Sequence, residues 1–557
     1  MVDQTAAVED ALVVGAGPVG LTMALALSRH GLACRIVDCA AEPTDKSKAL
    51  VLWGRSLELL DAEPDLCGDL VGAGQFARAA NIFGNGKRLV RVEFHREDTA
   101  FPMPLMLPQC DTERILTEHL ARRGIAVERP LELVDFIDDG QRVLARLRHA
   151  ENGDQIVACR WLLGCDGAHS TVRKQLKLEF AGAFEPNDWM LADVHLDGPI
   201  ERDELSIYWH ARGIVAFFPI RGDHFRVVAD VGKSPGTDKP HDPTLEEVQE
   251  LLDERGLAAV RARDPHWLAG FRIHERKVDQ YSRGRVFLAG DAAHIHSPAG
   301  GQGMNTGMQD ALNLAWKLAL VHRSLARETL LDSYTAERSA VGDMVLKNAS
   351  RLTQLATLRN PLAQFIRNHA ALLAGRMSSV QERFVADLTE LAVHYPKSPL
   401  NGDDPGHAWD DVLKPGDRLP DATALSYPLG QTTRLLAVLG DARHALLVLP
   451  REEDTDVIAP RVASELAALE PLVRVVIFPA GPAEQVPKVW PPGTTAAADL
   501  FGADSVLIDS QGEVRRRLGV RSTAIALVRP DGYLGFRGHA DSWHTLRQHL
   551  GRYLALP

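Results

Sequence analysis

One short stretch constrains this chain more than any other: Ala11-Leu12-Val13-Val14-Gly15-Ala16-Gly17-Pro18-Val19-Gly20, followed by the apolar run Leu21 to Leu27. A β-branched apolar segment, three glycines spaced G-x-G-x-x-G and a run of small apolar residues predict a strand, a tight turn and a helix of a doubly wound α/β fold. Gly15 permits the turn, Gly17 lets backbone approach a phosphate, and Gly20 lets helix and strand pack closely. The helix amino terminus adds partial positive charge, so the unit is a cradle for a pyrophosphate. Such a turn also joins elements that bind nothing, and the rest of the chain must decide.

Ala33 to Asp38 reads as a second strand that ends in an acid, placed to accept both ribose hydroxyls of an adenosine and to disfavour a 2′-phosphate there. An enzyme built only around a nicotinamide cofactor would continue with further strand–helix–strand units, and this chain does not. Lys46 to Asp61 is a basic turn leading into a helix, and Leu107 to Arg114 opens another. Strand-like Ile156 to Leu163 delivers Gly164-Cys165-Asp166-Gly167, with Ser170-Thr171-Val172-Arg173 just beyond. Much later, Arg285 to Ala289 delivers Gly290-Asp291-Ala292-Ala293-His294. Ser297-Pro298-Ala299-Gly300-Gly301-Gln302-Gly303-Met304-Asn305-Thr306-Gly307 then forms a glycine-rich entrance to a helix.

Composition removes several function classes. With 557 residues the chain has room for about three domains. Its 62 Lys and Arg against 74 Asp and Glu leave a formal charge of −12 without a basic run, so nucleic acid is excluded as a partner. The six cysteines fall in the first third without a CxxC pair, and they read as reduced thiols rather than a zinc or disulfide framework. His294 and His296 lie two apart with no ligand set around them, which predicts no metal. Met1 to Asp10 has no positively charged leader, and the first apolar run is broken by glycines and Pro18. A cytoplasmic protein with no membrane span is expected.

Taken together, the fingerprint, the Gly-Cys-Asp-Gly turn with its Val172-Arg173 tail, and Gly290 to His294 followed by Gly300 to Gly307 resemble the single-component FAD aromatic hydroxylases of the para-hydroxybenzoate and phenol hydroxylase type. The resemblance covers roughly residues 10 to 400. It implies an α/β fold with a Rossmann-like FAD-binding domain over 1–180 and 276–400, the second part ending in a helical segment. An antiparallel substrate sheet over 181–275 is inserted between them, and a thioredoxin-like domain over 411–557 carries no cysteine and so serves packing or dimerisation. It also implies FAD, NADH or NADPH as a transient donor, a small aromatic substrate with O2, and a homodimer. The implied reaction is hydroxylation of a phenolic ring through a flavin C4a-hydroperoxide. The same flavin chemistry on a polycyclic or antibiotic substrate, or a scaffold without turnover, stays open.

By resemblance, Gly15, Gly17, Gly20, Asp38, Lys48, Gln109, Asp166 and Asp291 bind FAD. Lys48 stands where relatives often carry an arginine near the pyrophosphate, Gln109 matches a glutamine near the ribityl chain, and Asp291 matches an acid at the ribityl and phosphate region. Asp166 with Arg173 matches a motif used for both FAD and the nicotinamide donor. Pro298, Gly300, Gly301, Gly303, Met304 and Asn305 form the loop whose N–H groups offset negative charge on reduced flavin. On the substrate sheet, Tyr208 and His210 alternate to one face and Trp209 to the other. His210 or Tyr208 is the candidate activating group, His210 being equally a plain sheet histidine, and Phe217 is a candidate pocket wall.

Overall fold

The computed structural model describes residues 8–233, 240–426, 431–439, 443–454, 465, 469, 472–477 and 505–556. At its centre the strand Glu9–Val14 runs parallel to Cys34–Val37 on one side and to Gly153–Gly164 on the other. Val286–Leu288 continues the parallel set beyond Gly153–Gly164, and Val127–Glu128 lies outside Cys34–Val37. Ala11, Leu12 and Val13 are fully buried, as a strand covered on both faces requires. The register places Val14 beside both Val37 and Gly164, and Gly164 beside Leu288. Turns that lie far apart in sequence therefore leave one sheet edge together, at the carboxyl ends of the strands where open α/β sheets bind ligands.

A second, eight-stranded sheet roofs this edge. Its order is His294–Ile295, Arg261–Lys277, Ala181–Asp197, His224–Lys233, Gly213–Arg221, Glu204–His210, Ala79–Gly84 and Lys87–Glu93. The hairpin Ala79 to Glu93 lies within residues 1–180, expected to be FAD-binding, yet it joins the roof because Ala79–Gly84 pairs in parallel with Glu204–His210. On the outer face Met190, Val194, Val215, Phe217 and Val227 pack with the helix Leu245–Glu254, whose start is fixed by a Thr244/Glu247 capping box. The inner face places Leu205, Phe218 and Ile220 against Leu50, Val51 and Trp53 of the FAD-binding half.

Behind the glycine-rich loop the helix Gly303–His322 is buried almost throughout, and it is followed by the helices Asp332–Ala356, Pro361–Ala374 and Ser378–Leu388. A third sheet carries the carboxy-terminal segment. His444–Leu449, Val473–Ile477 and Ser505–Ile508 are parallel, and Ala524–Val528 and Leu534–His539 are added antiparallel. The sequence predicts the second of these strands over Val473 to Phe478, and Phe478 lies outside the described residues. Gly402–Asp404, in the turn-rich stretch that reads as a boundary, pairs with Leu534–His539 and so belongs to this sheet. The turn after Ala524–Val528 sends Arg529 and Asp531 into the FAD-binding half, where both are buried.

Candidate functional site

The fingerprint glycines divide by role. A Cβ on Gly15 would lie 2.4 Å from the Cys165 carbonyl oxygen, and one on Gly20 would lie 1.8 Å from the Gly15 carbonyl oxygen, so close packing demands both glycines. At Gly17 the nearest atom would be a Glu113 carboxylate oxygen 4.0 Å away, which leaves room for a ligand atom. The helix Pro18–Arg29 starts there with no side-chain cap, and its first-turn N–H groups have no side-chain acceptor. Asp38 accepts the Ala16 N–H at 2.7 Å and the Ala40 N–H at 2.8 Å, and Arg129 Nη1 lies 2.7 Å from its Oδ1. Arg129 carried no motif in the sequence, and the parallel pairing of Val127–Glu128 brings it here.

Gln109 opens the helix Gln109–Arg122, accepting the Ala49 N–H and donating to Glu113 at 2.8 Å. Burial raises the Glu113 carboxyl above its ordinary range, while Gln109, Arg129 and Lys48 oppose the rise. The Lys48 side chain is exposed, and its carbonyl accepts Arg226 of the roof. Arg226 also forms a two-pronged pair with Asp193, and so locks roof and cradle together.

Asp166 Oδ2 accepts the Thr171 and Val172 N–H groups at 2.7 and 3.1 Å. Its Oδ1 is buried without a partner, and burial raises the carboxyl. Arg173 donates to the Ala292 and Ala168 carbonyls at 2.9 and 2.8 Å and lies over the Phe180 ring, which ties the Asp166 turn to the Asp291 turn. Asp291 is accessible from the cleft yet crowded by protein. The crowding raises its carboxyl, and His294 and Lys48 oppose that. His294 is committed elsewhere, donating to Asp310 at 2.8 Å, and Asp310 also takes the Gly290 N–H. Among the described residues no His, Cys, Asp or Glu grouping has the geometry to hold a metal.

The loop beyond follows from its glycines. Gly300 and Gly301 have φ of +95° and +64°, where a side chain is strained, and the Gly301 N–H closes a turn on the Pro298 carbonyl at 2.9 Å. The helix then begins at Gly303 without a side-chain cap, with Met304 half-buried and Asn305 fully buried in its first turn. Asn305 accepts the Trp53 N–H at 2.8 Å and donates to the Val51 and Gly301 carbonyls at 2.8 and 3.1 Å. The Trp53 indole donates to the Gly300 carbonyl at 2.9 Å. Trp53, unmarked in the sequence, thus clamps the loop. His296 donates Nδ1–H to the Ser297 carbonyl, and burial pushes its pKa down to about 4, which leaves it neutral beside Gly303.

The roof corrects one expectation. Tyr208 stacks on Phe83 at 4.5 Å and meets Phe217 edge-on, while His210 accepts the Arg212 N–H in its hairpin turn. All three belong to the outer face: Phe217 is fully buried in the cluster under the Leu245–Glu254 helix, and Arg255 at that helix's end helps to lower His210 after burial. They do not reach the cleft. The inner face carries Phe218 and Trp209, and Trp209 is covered by Arg367 at 4.1 Å.

Residues 9–349 match the family model described as FAD binding domain. The chain belongs to that family. It is 36% identical over 561 aligned residues to a 6-methylpretetramide 4-monooxygenase of Streptomyces rimosus, covering 98% of this chain and 94% of that one. To a pentachlorophenol 4-monooxygenase of Sphingobium chlorophenolicum it is 29% identical, with 98% and 96% covered. The solved structure of an anhydrotetracycline hydroxylase from Streptomyces rimosus superposes with a TM-score of 0.75 at 28% identity, over 98% and 99% of the two chains. The protein is an FAD-dependent aromatic monooxygenase with a Rossmann-like FAD-binding fold, as the sequence motifs led us to expect.

The uncapped helix starts at Gly17 and Gly303, the open side of Gly17 and the unpartnered Asp166 oxygen fit a flavin dinucleotide in this monooxygenase. Asp291→Ala should weaken FAD binding about 10- to 100-fold, the worth of a hydrogen bond to a charged group, measured by flavin fluorescence titration. Undiminished affinity would remove Asp291 from the site.

Glu390 lies behind the loop, fully buried, accepting Thr306 Oγ1 at 2.8 Å and Gln309 Nε2 at 2.5 Å. Burial pushes its pKa from 4.5 up to about 8. Between those values the unfolded chain sheds a proton that the folded chain keeps, so this group's contribution falls as pH rises through the window and levels off above it. Glu390→Gln should therefore gain stability on the wild type progressively from pH 5 to 8 in urea unfolding. Parallel pH curves for the two proteins would sink the assignment.

Proposed function

We propose that the chain, as a cytoplasmic homodimer, hydroxylates a phenolic ring of a polycyclic aromatic compound with NADH or NADPH and O2. The observation that carries this reading is the Gly300–Asn305 turn, held by Trp53 beneath the inner face of the roof. FAD, when bound, supplies the redox and oxygen-transfer chemistry.

The chain's own residues do the rest. Gly15 to Gly20 and Asp38 would hold the adenosine end of FAD, with Arg129 beside them, and Lys48, Gln109, Asp166 and Asp291 would hold its pyrophosphate and ribityl parts. First-turn N–H groups of Gly303, Met304 and Asn305 would offset negative charge on the flavin ring when it is bound. Phe218, Leu205 and Ile220 keep water from the reacting face. Polycyclic size is supported by the higher identity to the relative named for 6-methylpretetramide, 36% against 29% for the one named for pentachlorophenol. No second glycine fingerprint exists for the nicotinamide donor, which supports transient donor binding. Among the described residues no helix is long and apolar enough to cross a membrane.

The test is NADH and NADPH oxidation by the holoenzyme against simple phenols and polycyclic phenols, with products weighed after turnover in isotopically labelled O2. Stimulation by polycyclic phenols with one labelled oxygen in the product is expected. Turnover of simple phenols alone would overturn the size assignment. Insertion into a carbon–carbon bond, or loss of halide, would overturn hydroxylation.

A further inference from the structure

The helix Pro361–Ala374 is inside out. Leu362, Phe365, Ile366 and Leu373 share one stripe at helical spacing, and they are 58–69% exposed. The opposite side is turned to the protein: Arg367 is buried over the Trp209 ring and donates to the Leu355 carbonyl at 2.8 Å. Met377 and Val380 carry the exposed stripe across the turn into the helix Ser378–Leu388, whose Phe384, Val385 and Leu388 join the apolar cluster beneath the roof. The charges around this stripe have one sign. Residues 344–381 contain Lys347, Arg351, Arg359, Arg367 and Arg376 and no Asp or Glu, in a chain whose formal charge is −12. Only Arg367 of the five is buried. Lys347, Arg351 and exposed Leu355 recur every fourth residue, so one face of the helix Asp332–Ala356 passes from basic to apolar as it nears Arg367. Arg359 and Arg376 stand at the two ends of Pro361–Ala374, Arg359 partly offset by Asp230 of the roof at 3.3 Å.

We propose that this segment seats the enzyme on an anionic lipid surface, with the Pro361–Ala374 helix lying flat in the headgroup layer. An apolar stripe bordered by bases is the pattern of an interfacial helix: the stripe enters the acyl boundary while the bases meet headgroup phosphates. The sign of the charge chooses this occupant. Two copies meeting here would set base against base, whereas an anionic surface complements every charge of the segment. A protein partner would also need a groove shaped to an isolated helical ridge, and a fluid lipid surface needs none. The overall −12 does not oppose the seat, because at physiological ionic strength exposed charges more than about 8 Å away are largely screened, and those of this segment are basic. The inference concerns where the enzyme works, and it stands whichever ring is hydroxylated.

The FAD-loaded protein should cosediment with vesicles of mixed phosphatidylcholine and phosphatidylglycerol, not with vesicles of phosphatidylcholine alone, and high salt should release it. Arg351→Ala with Arg376→Ala should weaken the binding about 25-fold, roughly 5-fold for each base near an anionic surface. Phe365→Glu with Leu373→Glu should abolish it. Both of these side chains are more than half exposed, so flavin content and unfolding midpoint should stay unchanged, which separates lost docking from misfolding. Val412→Glu, an equally exposed apolar position outside the stripe, should bind as the wild type does. A wild type that ignores the mixed vesicles, binds both kinds equally or keeps its binding after the double glutamate substitution overturns the proposal. So does a lipid-free dimer that the same substitution dissociates, since a second copy would then cover the stripe.

Discussion

Glu337→Ala should lower the thermal midpoint by about 10 °C and release FAD in the same transition. Glu337 sits in the helix Asp332–Ala356 with no exposed surface, gripped by Arg529 at 2.6 and 3.0 Å, Lys317 at 2.8 Å, Asn313 at 2.8 Å and Ser398 at 2.5 Å. Burial alone would raise this carboxyl, but Arg529 and Lys317 hold it below the ordinary range. Removing it leaves buried Lys317 without its carboxylate and Arg529 with Asp531 alone, which costs about 3–5 kcal/mol. At roughly 2–4 °C per kcal/mol for a domain of ordinary size, a drop near 10 °C follows. The flavin is included because the next residue, Arg338, holds Asp310 at 2.6 Å, and Asp310 holds the Gly290 N–H and His294. Thermal scans that follow flavin fluorescence and tryptophan emission together provide the check. An unshifted midpoint would mean that this network is dispensable.

Asn305→Ala should lower kcat/KM about 100-fold and raise the fraction of donor oxidised without product. The substitution leaves the buried Trp53 N–H unpaired, at about 1–3 kcal/mol, and frees the Gly301 carbonyl. An ångström of drift in the loop is enough for a loss of that size. Asn305→Asp keeps the acceptor for Trp53 but puts a negative charge at the helix entrance, so flavin reduction itself should slow. Stopped-flow reduction and product yield distinguish the two. Normal yield in the alanine variant would remove the loop's positioning role.

Both experiments depend on contacts that sequence shows poorly. Gly15, Gly20, Gly300 and Gly301 were legible because a glycine in a tight turn has a local reason, and Asp38, Asp166 and Asp291 were legible because each closes a strand. Glu337 and Arg529 are 192 residues apart, and Trp53 and Asn305 are 252 apart. Nothing local marks either pair. Tyr208, His210 and Phe217 failed for another reason. Period-two alternation sorts a strand into two faces but is symmetric between them, and only the packing of Leu245–Glu254 decides which face is buried outward. Arg55 shows the same limit at the domain junction. It bonds Glu58 and the Asp531 carbonyl, fully buried, and nothing local in the sequence marks a partner 476 residues away.

The two-residue strand His294–Ile295 is short, but it is hydrogen-bonded to the roof through Arg276 and Lys277 and lies between Asp291 and the glycine turn. Roof and flavin loop are therefore joined through one hydrogen-bonded stretch of backbone. Linkage then requires a symmetric bargain: the factor by which a seated aromatic ring tightens flavin binding equals the factor by which bound flavin tightens the ring.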